Sequence, residues 1–216
     1  MSETFRHYIN LLESANSFPL KSFKKLWHVG SLDPEKKRNN SHEGSGLSVS
    51  VNPDEWRKIG RGAIQGNVWE LTKTGNKFLD YIKLSPIQRD MIADWAIQNE
   101  WATKQVAYRV SWEDESGDEV YADYTSIEDA KEQAYDEDDI IEIDGILIGT
   151  DKLRQRTRNK AEPVLVPDLI ATIYGEDILN IDGIWWNEIL DVVNFSAPRG
   201  VIFPSMLSTW TIQKIQ

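Results

Sequence analysis

Residues 23–51 read FKKLWHVGSLDPEKKRNNSHEGSGLSVSV. FKKLWHV (23–29) is short, aromatic and β-branched at its end, and LSVSV (47–51) alternates apolar with small polar residues. Both predict strands. Between them, LDPEKKRNNSHEGSG (32–46) is polar and Gly-rich and reads as a loop. On the C-terminal side, NPDEWRKI places Pro53 at a first helical position with acids in the first turn, which predicts a helix start. NVWELTK (67–73) predicts a third strand, and GNKFLDYI follows it. On the N-terminal side, Phe5, Tyr8, Ile9, Leu11 and Leu12 predict a short amphipathic helix over 3–15.

The second half mixes patterns. Ile87, Met91, Ile92, Trp95 and Ile97 predict an amphipathic helix over 86–103. QVAYRVSW (105–112) and EVYADY (119–124) alternate around the turn chemistry of EDESGD and predict a hairpin. Ser126 and Asp129 bracket the start of a helix in IEDAKEQAY. IIEI, ILIG, VLVPDLIATIYG, IDGIWW, GVIFP and STWTIQKI are then read as short apolar runs. Short strands interleaved with few helices predict an α+β fold rather than a doubly wound sheet.

Composition narrows the chemistry. The 216 residues carry 24 Lys and Arg against 35 Asp and Glu, with three His and no Cys. That excludes a disulfide scaffold, a cysteine nucleophile and a thiolate metal site, and three scattered His build no His-rich metal centre. No metal is expected. The polar start MSETFRHYINLLES has no apolar signal core, and no apolar run of about 18 residues occurs, so a cytoplasmic location without membrane association is expected.

The net charge of −11 is unevenly distributed. Residues 113–144 hold fifteen acids and a single base, Lys131, a net −14 that leaves +3 for the rest of the chain. One reading of this stretch is a solvated face; the other is a surface that mimics nucleic acid and holds a basic partner. KLRQRTRNK (152–160) is nearly all basic. It reads either as a helix end neutralising nearby acids or as a phosphate track.

No Walker A, GxGxxG, GxSxG, HExxH or EF-hand pattern occurs. Three stretches stand out: LWHVGS (26–31), SHEGSGLSVS (41–50) and IDGIWWNEILD (181–191). Taken singly, His28 is a satisfied structural histidine, Gly44 and Gly46 punctuate a loop, and Trp185 and Trp186 are core residues facing opposite sides of a strand.

Together, these stretches resemble the ADP-ribosyltransferase family, with its core of the diphtheria-toxin type. WHVGS (27–31) is similar to the family's strand bearing His, then Gly and Thr/Ser. GLSVS (46–50) is similar to its second strand, and VWELT (68–72) looks like its third. DGIWWNE (182–188) resembles the late element of small phage anti-CRISPR ADP-ribosyltransferases, where an acid follows a Gly-led strand. The resemblance implies a split mixed or antiparallel β core formed by 1–85 and 176–216, with 86–175 as an acidic and basic α+β insertion. It implies NAD as substrate and Glu188 and His28 as catalytic residues. His28, Gly30, Ser31, Gly46, Ser48, Ser50 and Trp186 are the implied NAD contacts, with Trp56 or Trp185 as other stacking candidates and Arg61, Lys73 or Arg199 near the pyrophosphate.

The sequence departs from the family in two places. Ser48 stands where many members have Tyr, so nicotinamide stacking must come from elsewhere. Trp186 stands where arginine-modifying members carry a second Glu, which disfavours an arginine acceptor.

The implied activity is transfer of ADP-ribose from NAD to a macromolecular acceptor, protein or RNA/DNA, in a toxin or phage effector. An oxocarbenium-like transition state at the nicotinamide ribose calls for a carboxylate such as Glu188. The competing expectation is a non-enzymatic inhibitor whose acidic segment, 113–144, mimics nucleic acid. An antitoxin held by the same acidic face is a further partner expectation.

Overall fold

The computed structural model describes residues 18–32, 46–54, 66–113, 117, 119–136, 139–161, 163–187 and 199–215. The predicted helix over 3–15, most of the loop 32–46 and most of the helix after Asn52 lie outside them. Pro53 and Asp54 are helical, and the Asn52 side chain caps them by accepting from the Asp54 N–H at 2.9 Å.

The architecture is mixed α+β: a curled mixed sheet of eight strands and a separate antiparallel sheet of three. The strands are β1 (Leu20–Lys21), β2 (Leu26–Val29), β3 (Leu47–Ser50), β4 (Val68–Thr72), β5 (Phe78–Asp80), β6 (Ala102–Glu113), β7 (Glu119–Tyr124), β8 (Ile140–Gly149), β9 (Gly183–Asn187), β10 (Arg199–Ile202) and β11 (Thr211–Lys214). The eight-stranded sheet runs β1-β5-β9-β10-β3-β2-β4-β11, and the smaller one β7-β6-β8. Strands of the large sheet come from 20–80 and 183–214, and those of the small one from 102–149. Among the described residues, only β5 and β9 pair in parallel.

The ladders differ in length. β10 pairs with β3 over four residues, as does β2 with β4, but β2 meets β3 at a single pair, Trp27↔Ser50. Beyond that pair the β2–β3 ladder breaks, a fork in the hydrogen bonding with β2-β4-β11 on one side and the remaining strands on the other.

The helices are α1 (Pro86–Gln98), α2 (Ile127–Gln133), α3 (Asp151–Thr157) and α4 (Val166–Asp177). Ser85 and Gln88 form a reciprocal capping box on α1. Ser126 caps α2 by accepting from the Asp129 N–H. VLVPDLIATIYG, read as a short apolar run, is mostly the helix α4. Its residues 166 and 169–175 are buried almost all round, so no polar stripe reveals a 3.6-residue period. IIEI and ILIG join into one strand, β8, whose register shifts opposite Gln105 and Val106.

The large sheet is covered on both faces. Ile184, Trp186, Val201 and Phe203 pack with Leu169, Ile170 and Ile173 of α4, so helices from within 86–175 complete the core of the sheet. On the other face, Leu26, Leu71, Phe78 and Trp185 pack with Trp210. The adjacent tryptophans thus occupy opposite cores, as strand alternation requires. No helix among the described residues is long and apolar enough to cross a membrane.

The turn from β5 into α1 passes through Tyr81. Its hydroxyl donates to the Asp168 carboxylate, and the Arg89 guanidinium lies 4.5 Å from its ring centroid. Burial, then the Asp168 charge, pushes the Tyr81 phenol well above its ordinary value. A raised folded-state pKa leaves this stabilisation complete below about pH 10, the unfolded phenol's value, and removes it as pH climbs toward the folded value. Tyr81→Phe should therefore flatten the alkaline limb of a stability–pH curve from urea midpoints. Tyr174, raised by its own burial, should leave a residual slope.

Candidate functional site

The fork between β2 and β3 is where the first two sequence elements meet. The chain leaves β2 through Gly30 at φ +130°, a backbone conformation that L side chains rarely adopt. Its N–H donates to Asn67 O at 2.9 Å, and its carbonyl accepts from the Trp69 indole at 2.9 Å. His28 spans the fork: Nδ1 lies 2.8 Å from Ser48 O on β3, and Nε2 lies 3.0 Å from Ser31 O. A ring nitrogen donates only where it carries a proton, so the tautomer decides which carbonyl is held. A ribose hydroxyl at His28 would replace one of the two contacts.

Gly46 and Ser48 lie on the opposite lip. A Cβ on Gly46 would strike the Val201 side chain and come within 2.8 Å of Ile202 O, so close packing against β10 already requires glycine there. The Ser50 side chain is buried at the junction, and its hydroxyl donates to Asn52 O at 3.0 Å. Trp186 is buried in the apolar core and offers no open ring face to nicotinamide. Alternation along the strands sets His28 on the face of Leu26 and Trp185, and Trp186 on the other. The structure therefore brings His28, Gly30, Ser31 and Ser48 together, sets Gly46 against β10 and separates Trp186 from them.

Glu188 lies outside the described residues, as do Trp56 and Arg61. Its preceding residue, Asn187, pairs with Arg199, which pairs with Ser50, which pairs with Trp27. The end of β9 thus shares a row with the closed end of the fork. At about 4.8 Å per strand, three spacings put β9 roughly 14 Å from β2. Lys73 is engaged elsewhere: its ammonium pairs with Asp182 and donates to Thr209 Oγ1 at 2.8 Å.

Sequence reading missed two buried carboxylates. Asp182 ties the β4–β5 turn to β9, accepting from the Lys77 N–H at 2.9 Å besides its Lys73 pair. Asp80 ends β5 beside Trp185 of β9, with Oδ2 3.1 Å from Lys83 Nζ. Its buried Oδ1 has no donor among the described residues. The available signal was an acid inside each apolar run, FLDYI and NIDGI.

The basic run 152–160 makes up most of α3 and the residues that follow it. Arg154 pairs with Asp151 at 2.6 Å, Arg156 with Glu176 and Asp177 at 3.0 and 3.2 Å, and Lys152 lies 4.0 Å from the Trp101 ring centroid. No group of three or more His, Asp or Glu among the described residues is placed to hold a metal. Cavities of about 460 and 840 Å³ lie elsewhere, the first lined by Lys24 and Lys73 and the second by Tyr81 and Asp168; neither includes His28, Gly46 or Ser48. No protein-family model, curated protein or solved structure matches the chain.

Proposed function

We propose that the chain is an NAD-dependent ADP-ribosyltransferase acting on a macromolecule other than through an arginine side chain. The observation that carries this reading is the fork. The stretches 26–31, 46–50 and 68–72, picked out far apart in sequence, form the neighbouring strands β3-β2-β4, and the β2–β3 ladder breaks where His28 sits. An open ladder exposes main-chain N–H and C=O groups that a polar ligand satisfies. The lateral distance of roughly 14 Å between β2 and β9 suits a ligand with two riboses joined by pyrophosphate better than a single sugar. In this reading His28 holds a ribose hydroxyl, the backbone around Gly30 and Gly46 approaches phosphate, and Glu188 stabilises the ribose cation.

The test is purified protein with labelled NAD, alone and with a cell lysate. Label transfer or nicotinamide release is expected, reduced by Glu188→Gln and by His28→Ala. NAD left intact, or turnover equal in all three proteins, overturns the reading.

A further inference from the structure

We propose that the cavity between α1, α4 and the core-facing side of the three-stranded sheet binds a small amphipathic carboxylate. The Lys104 ammonium pairs with its head group, and its apolar body lies between the helices. The cavity shares no lining residue with the fork, so this site stands apart from NAD chemistry. At about 840 Å³ it falls within the range of roughly 300–1,000 Å³ usual for small-molecule sites. Most of its lining is apolar: Leu84, Ile92, Ile170 and Ala171 are buried at its wall, and Leu147 lines it from β8.

Lys104 breaks the pattern of its strand. Ala102, two residues earlier on β6, is buried in the main core, so alternation turns Lys104 to the same side. Lys104 pairs directly with Leu147, which packs on that core. Strand patterning puts an apolar residue at such a position. Here a lysine stands instead, exposed because the cavity rather than packed side chains adjoins it, and it makes no ion pair or hydrogen bond among the described residues. The backbone is shaped around it. Opposite Gln105 and Val106, β8 carries one extra residue, Gly145, at φ +108°. A Cβ there would strike Lys104 Cε and come within 2.8 Å of Nζ, so the glycine at this bulge leaves room for the lysine to lie across β8 into the cavity. Bulges re-aim side chains in this way beside functional sites.

The other charges narrow the ligand. Arg89 and Asp168 are both turned to Tyr81, the first donating to its carbonyl at 2.9 Å and the second accepting from its hydroxyl. Asp90 and Asp94 stand exposed on the α1 side of the cavity without an ion pair, where water satisfies them. One unpaired ammonium near two carboxylates attracts a single negative charge and disfavours a ligand carrying two. An apolar chain ending in one carboxylate meets both the charge and the apolar wall.

The probe is octanoate, titrated calorimetrically onto the full chain without NAD. Acetate, octylammonium and suberate (a dicarboxylate of the same length) are the controls. Octanoate is expected to bind about tenfold or more tightly than each of them. Lys104→Met should weaken octanoate about tenfold, whereas Lys104→Arg should keep most of the affinity. Lys104 is exposed, so the thermal midpoint of Lys104→Met should match the parent's, and Lys104→Gln is the second variant if that midpoint falls. No binding of octanoate overturns the proposal, as does any control that binds as tightly. A folded Lys104→Met or Lys104→Gln that binds octanoate like the parent overturns it too.

Discussion

Asp182→Ala is expected to lower the unfolding free energy by about 3 kcal/mol, the lower end of the range for breaking a buried ion pair. The Asp182 side chain is 7% exposed and its Lys73 partner 23%, so the orphaned ammonium regains part of its hydration. The carboxylate also accepts the Lys77 N–H, and Lys73 reaches on to Thr209, so one substitution loosens the β4–β5 turn, the start of β9 and the segment before β11 together. Against a net stability of about 5–15 kcal/mol, that is a large fraction. Asp182→Asn keeps an acceptor for Lys77 and should lose less. Urea midpoints with the denaturant slope monitored test this. A loss under about 1 kcal/mol for Asp182→Ala would show that the pair does not hold these segments.

Glu188→Gln should slow NAD turnover on the order of 10²–10³-fold with little change in KM, because a carboxylate that stabilises developing positive charge acts mainly in the transition state. His28→Ala should behave differently. It removes contacts to Ser31 O and Ser48 O across the fork, so it should raise KM and cost about 1 kcal/mol of stability. Steady-state kinetics with thermal melts separate the two. If His28→Ala lowers only stability, the ring is a stitch between β2 and β3. If Glu188→Gln leaves kcat unchanged, the proposed chemistry is wrong.

Local pattern made much of the fold legible. Strands at 26–29, 47–50 and 68–72, the 102–113/119–124 hairpin and the Ser126-capped helix follow from period-2 alternation, turn residues and capping, all encoded within a few residues. α4 escaped because uniform burial erases helical periodicity. The roles of Asp182 and Asp80 escaped because a buried acid is recognised by its partners, and Lys73 lies 109 residues from Asp182.

The sequence alone therefore determined the type of the locally patterned elements, the absence of thiol chemistry and the concentration of acid in 113–144. The tertiary structure decided what those elements share. It set β2 between β3 and β4, limited the β2–β3 ladder to Trp27↔Ser50 and gave both His28 nitrogens a carbonyl. It buried Trp186 away from the fork and turned Lys104 into the cavity between α1 and α4. The physical reason is range. Propensity and periodicity act between near neighbours, whereas strand order, register and burial depend on contacts between residues that only the folded chain brings together.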